Sequence, residues 1–162
     1  MKADRITDSL TKVIVTFFGA GYSPIMPGTV GTLFAIPLYY LLTLLGPVPY
    51  VIITIALIAI AIPAASRAEE IFDKKDASQI VIDEVVGYLT TMLFFWKFNW
   101  VAALVGFVAF RFFDILKIPP SNLVEQLKRG AGVVLDDVAA GVYACLATHL
   151  IVSLIMFLAR GA

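Results

Sequence analysis

The 162-residue sequence has a single cysteine, Cys145, and a single histidine, His149. One cysteine excludes an internal disulfide and any multi-cysteine metal site. The histidine falls about a dozen residues into an apolar run, which excludes a histidine nucleophile, since that needs access and a partner. No Cys-x5-Arg loop, Asp-x-Asp loop or Asp-Gly-x2-Ala-Arg pattern occurs. These absences remove cysteine phosphatases, aspartate-nucleophile phosphatases and phosphatidyl-alcohol transferases. Charge is also scarce: residues 13–66 and 138–159 contain no Asp, Glu, Lys or Arg. Twelve Lys and Arg balance twelve Asp and Glu, so net charge points to no polyanionic partner and the distribution of charge carries the information.

What is present is apolar surface. The chain is 60% hydrophobic with a mean hydropathy of +0.94, against about 45–50% for a soluble domain. The uncharged run 138–159 is long enough to span a hydrocarbon core, which takes roughly 20 helical residues. The composition predicts an all-α, multi-pass membrane protein, one domain over residues 1–162 with no soluble second domain. No small-residue cleavage site follows the charged amino end, so no removable signal peptide is expected.

Ile6, Leu10, Val13, Ile14 and Phe17 recur at helical spacing with charged residues between them. Residues 1–18 therefore suit an amphipathic helix, lying in the membrane interface or packed on the bundle. Residues 19–32 (GAGYSPIMPGTVGT) hold four glycines and two prolines and are expected to form a loop. A first crossing is predicted over 32–46, a second over 50–66, and a partly helical polar segment over 67–78. Residues 85–110 read best as a helical hairpin turning at Trp96-Lys97-Phe98-Asn99-Trp100, an interfacial aromatic belt. The last crossing begins at 138.

This gives five crossings, and it places all twelve acids on one side: Asp4, Asp8, Glu69, Glu70, Asp73, Asp76, Asp83, Glu84, Asp114, Glu125, Asp136 and Asp137. All the cations except Lys97 and Arg160 join them, so the positive-inside rule makes that side cytoplasmic.

Carboxylates at the mouths of apolar helices are costly and mark candidate chemistry. Asp83-Glu84 and Asp136-Asp137 each lead into an apolar run, where one acid would serve as a cap and two suggest a hard divalent metal such as Mg²⁺. Arg111, Asp114 and Lys117 follow at i, i+3, i+6, either as an intrahelical ion pair or as a phosphate clamp beside a metal-binding acid. Loop 19–32 could cradle a phosphate through its amides, with Ser23, Thr29 and Thr32 as hydroxyl donors. His149 and Cys145 are read as packing residues. With the absences above, a carboxylate–metal site with water as the nucleophile remains.

Four motifs in order carry a resemblance: Ser23-Pro24 with Pro27-Gly28-Thr29 and Gly31-Thr32; Ile80 to Gly87 (IVIDEVVG); Phe110 to Ile115 (FRFFDI) with Lys117; and Gly132-Val133 with Asp136-Asp137 and Ala140-Gly141. Over about residues 19–143 the chain resembles the phosphatidylglycerophosphatase A family. Ile118 and Arg129 depart from the family pattern, where a proline and a glycine are usual, and neither change removes a carboxylate. The resemblance implies a Mg²⁺-dependent enzyme of the bacterial cytoplasmic membrane, which converts phosphatidylglycerophosphate to phosphatidylglycerol. It implies metal ligation by Asp83, Glu84, Asp136 and Asp137, with Asp114 as a further ligand or water-orienting base. Arg111 and Lys117 would offset phosphoryl charge, and Ser23, Pro27, Gly28, Thr29, Gly31 and Thr32 would hold the headgroup. The rival expectations are a phosphatase of another lipid phosphate such as phosphatidic acid and, from a different class, a cation-binding transporter.

Overall fold

The computed structural model describes residues 2–119, 121–124, 126, 127 and 129–161. Helices account for its regular structure, and no strand occurs among the described residues: α1 (Lys2–Val15), a 3-10 turn (Ala20–Tyr22), α2 (Pro27–Thr43), α3 (Pro47–Ile71), α4 (Ile82–Thr91), α5 (Trp100–Leu116), the single turn α6 (Ser121–Val124) and α7 (Gly130–Gly161). α3 and α7, of 25 and 32 residues, are long and apolar enough to cross a membrane. At 1.5 Å per residue they reach about 38 and 48 Å, beyond the ~30 Å of a hydrocarbon core.

α4 is the axis of the bundle. Every residue in it except Glu84 is buried, and it packs against α7, α2, α3 and α5. Its sequence is amphipathic, with Asp83, Glu84, Thr90 and Thr91 on one side, and the packing buries that side too except at Glu84. The α4–α7 crossing is close because it is made by glycine: a Cβ on Gly141 would overlap the Gly87 carbonyl, and one on Gly87 would strike the Phe110 ring and lie 2.9 Å from the Asp137 carbonyl oxygen. This contact lays the first turn of α4 beside the second turn of α7.

α4 and α5 form the expected hairpin. The turn spans 92–99, beginning four residues before the predicted tryptophan belt, with Phe94 at φ 72°. Asn99 then caps α5 by accepting from the Ala102 N–H at 3.0 Å. The carbonyls where α4 stops have no helical partner and lie in apolar surroundings. Tyrosines supply donors there: Tyr50 Oη to Leu89 O at 2.8 Å and Tyr39 Oη to Phe95 O at 3.1 Å, while Tyr88 Oη bonds Ala103 O of α5 at 3.0 Å.

α2 starts at Pro27, five residues ahead of the expected crossing, so the second half of the predicted loop is helix. Proline at the first helical position loses no hydrogen bond and brings a helical φ, and Met26 at φ 48° makes the sharp entry. α3 runs on through Arg67, Glu69 and Glu70. Arg67 there pairs with Asp8 of α1 and with Glu70, each at 2.8 Å. α1 buries Thr11 and Val15 and leaves Ile6, Leu10, Val13 and Ile14 exposed on its outer face.

Candidate active site

Helix starts and ends converge at one end of the bundle around a cleft of about 220 Å³. α4 contributes Asp83 and Glu84 from its first turn. α5 contributes Arg111 and Asp114, together with Lys117, which closes the helix in left-handed conformation at φ 46°. α7 contributes Val133, Asp136 and Asp137, and the segment between α3 and α4 adds Lys75 and Asp76.

Asp83, Glu84 and Asp137 each present a carboxylate oxygen within 4.8 Å of the others, a spacing that fits one cation. Asp83 Oδ1 and Glu84 Oε2 are buried without a hydrogen-bond partner. Uncompensated buried carboxylate oxygens are expensive, and oxygen donors of this kind suit a hard divalent cation. Asp136 and Asp137, each 5% exposed, stand six and seven residues past the start of α7, so capping cannot account for them. Asp83 and Glu84 do lie in a first helical turn, where the dipole favours acids.

Arg111 Nη1 pairs with Asp114 Oδ2 at 2.6 Å and faces Glu84 Oε1 at 3.9 Å, while its Nε is buried without a partner. The intrahelical ion pair and the cleft position therefore coexist. Lys117 Nζ bonds Asp136 Oδ2 at 2.9 Å, which turns Asp136 toward the lysine, and Asp136 Oδ1 accepts the Asp137 N–H at 3.0 Å. Six carboxyl groups against the three cations Lys75, Arg111 and Lys117 leave an excess of three acids, which a bound cation would offset.

The motif expected as a headgroup loop divides. Gly28 touches the site, since a Cβ there would collide with Glu84 Oε1 and lie 3.4 Å from Arg111 Nη1. The amino end of α2, with Pro27 at its first position, thus abuts the acid cluster. Thr29 Oγ1 is buried and unpartnered. The other members are used locally. Thr32 Oγ1 donates to Gly28 O at 2.9 Å, Ser23 Oγ donates to Ile25 O at 2.9 Å, and Gly31 makes room for Val81.

His149 lies far from the cleft, stacked on Phe95 with ring centroids 4.1 Å apart. Cys145 Sγ is 3.5 Å from Leu93 O. Both serve the hairpin end as packing residues. Lys75 and Asp76 were not singled out from sequence, because a polar run after a helix has no local pattern that points into a cleft. Two larger grooves, about 550 and 670 Å³, flank α5 and are lined almost wholly by apolar side chains, suiting hydrocarbon and not phosphate.

Fold and cleft together define a class: a helical protein with membrane-length apolar helices and a buried acidic, cation-bracketed site at one end. Within that class, the family model of phosphatidylglycerophosphatase A matches residues 13–152, and the chain belongs to that family of phosphatases. It is 35% identical to phosphatidylglycerophosphatase A of Escherichia coli, over 77% of this chain and 73% of that protein. It is 35% identical to phosphatidylglycerophosphatase A of Haemophilus influenzae, over 78% and 79%. A protein of Bacteroides thetaiotaomicron provisionally named phosphatidylinositol-3-phosphatase is 37% identical, over 83% and 88%. No solved structure matches the chain.

Proposed function

We propose that this chain is a Mg²⁺-dependent lipid phosphatase that hydrolyses phosphatidylglycerophosphate to phosphatidylglycerol and phosphate at the cytoplasmic face of a bacterial membrane. The observation that carries this reading is the Asp83, Glu84, Asp137 cluster, buried, partly unpartnered and bracketed by Arg111 and Lys117, in a chain of this family.

The residues present fit the metal, because Asp83 and Glu84 each leave a buried oxygen unpartnered and each has a carboxylate oxygen within 4.8 Å of one on Asp137. When bound there, Mg²⁺ would supply a Lewis acid that draws charge from the phosphoryl group. Arg111 offers its unpartnered Nε to a phosphoryl oxygen, and its planar guanidinium suits that geometry. The free amides at the start of α2, beside Glu84, add a partial positive charge. Asp114 receives a proton from the attacking water, with Arg111 holding its carboxylate. The P–O bond to the lipid glycerol breaks as the water oxygen bonds to phosphorus, and the departing glycerol oxygen takes a proton from solvent. Lys117, fixed by Asp136, offsets charge on the transferring phosphoryl group.

In the membrane we read five passes, α2, α3, α4, α5 and α7, in one domain of residues 1–162 with the amino end in the cytoplasm. α4, about 15 Å long, is too short to face lipid across the core and stays inside the bundle. Residues 1–18 lie in the interface, a placement supported by the exposed Ile6, Leu10, Val13 and Ile14 stripe. Acyl chains rest in the bilayer against the apolar grooves beside α5.

The test is phosphate release by purified protein in detergent, with Mg²⁺ or with EDTA. Release that requires Mg²⁺ and is faster from phosphatidylglycerophosphate than from phosphatidic acid is expected. The name of the Bacteroides relative favours a second reading, another lipid phosphomonoester, so phosphatidylinositol 3-phosphate belongs in the panel. No release by folded protein with any divalent metal would refute the proposal.

A further inference from the structure

We infer that Lys75 is a specificity-determining residue that holds the phosphodiester of the lipid headgroup while the terminal phosphate occupies the Asp83, Glu84, Asp137 cluster. The inference rests on the phosphatidylglycerophosphate reading above and names the group that would select that lipid.

Three cations line the cleft, and two are committed within it. Arg111 is paired with Asp114 at 2.6 Å, and Lys117 with Asp136 at 2.9 Å. Arg129, which lines an adjoining outer pocket with Lys75, is held by Glu70 at 3.1 Å. Lys75 is exposed at the rim, and among the described residues no carboxylate pairs with it. Its backbone is not a loose linker. The Lys74 N–H donates to Glu69 O and the Asp76 N–H to Glu69 Oε1, each at 3.1 Å. Asp73 and Asp76 take left-handed φ values of 50° and 49° on either side. The turn therefore holds Lys75 at the mouth of the cleft before any ligand arrives.

The substrate's chemistry supplies the partner. Phosphatidylglycerophosphate carries a terminal phosphomonoester and, one glycerol away, a phosphodiester joined to the diacylglycerol. The acidic cluster and its cation address the first group. The second keeps a single negative charge throughout the reaction and lies toward the rim, where a hydrated, flexible ammonium suits it better than a rigid fork. Asp76 on the same turn also lines the cleft and tempers the attraction. Phosphatidic acid has no such diester, so this contact separates the two lipids. Because the diester is unchanged in the transition state, the contact contributes uniform binding and appears in KM, not kcat.

The experiment compares the full chain in detergent with Lys75→Gln, Lys75→Arg and, as a control outside the cleft, Lys74→Gln. For Lys75→Gln, the KM for phosphatidylglycerophosphate rises about fivefold with kcat retained, the upper range of an exposed ion pair. The inhibition constant of inorganic phosphate, which has no diester, stays unchanged. The KM difference shrinks as salt approaches about 0.5 M. Lys75→Arg restores the wild-type KM, and Lys74→Gln leaves it alone. An unchanged KM, a fall in kcat instead, or an equal shift in the phosphate inhibition constant overturns the inference while leaving the proposed function standing. A wild-type chain that releases no phosphate from phosphatidylglycerophosphate overturns both.

Discussion

The two ends of α4 treat buried polar groups in opposite ways. At its carboxyl end, where the helix stops inside the bundle, tyrosine hydroxyls reach the carbonyls of Leu89 and Phe95, and Cys145 approaches that of Leu93. At its amino end, Asp83 Oδ1 and Glu84 Oε2 are buried with no partner, next to Asp137 and beneath the start of α2. An unpaired buried polar group costs on the order of 1–3 kcal/mol, more for a charged one. Satisfaction at one end and deprivation at the other teach that the first end holds the fold, while the second carries a cost that a bound cation would offset.

The sharpest way to break this contrast is to remove a charge from the deprived end. Asp83→Asn or Asp137→Asn is expected to lower kcat by about 10³-fold or more while leaving thermal stability in detergent equal or higher, because a buried like charge is lost. Full hydrolysis by Asp83→Asn would mean that the acid cluster is not the reactive centre. Gly28→Ala comes next: its Cβ would push Glu84 Oε1, the mobile tip of a side chain, out of the cluster. Activity should fall by about 10²-fold with little change in unfolding temperature, as a displacement near 1 Å does. Metal addition sharpens the same point. Mg²⁺ at about 100 times its dissociation constant should stabilise the wild type by about 2.7 kcal/mol and Asp137→Asn by far less, read by thermal unfolding. The smallest effect belongs to the satisfied end. Tyr50→Phe should cost about 1–2 kcal/mol of stability with activity per folded molecule unchanged. A large kcat loss in Tyr50→Phe would erase the division between the two ends.

Much of this was legible along the chain. The uncharged runs announced an all-helical protein with membrane-length helices, because a charge-free stretch of that length has few other uses. The Trp96-to-Trp100 belt marked the hairpin as an interfacial turn; within it Asn99 caps α5, whereas α4 stops earlier, at Thr91. The acids and cations of the cleft stood out because charged residues against apolar neighbours need a compensating structure. Other features were not legible. The start of α2 was placed late, because glycines and prolines read locally as a loop. Here Pro27 opens the helix, and Gly31 is tolerated because Val81 packs where its side chain would be. Thr32 looked like a ligand for a headgroup, yet its hydroxyl bonds its own helix, a choice that depends on a rotamer and not on spacing.

The sequence by itself determined the class of the fold, the short list of carboxylates and cations, and the family, since each depends on residue type and order. Only the tertiary structure decided how those residues divide their work. The glycine contact between α4 and α7 joins Asp137 to Asp83 and Glu84, whereas Asp136, one residue earlier and about 100° around the helix, turns to Lys117. It also brought in Lys75 from a turn with no motif, because a cleft among four segments is a property of their packing and is written in none of them alone.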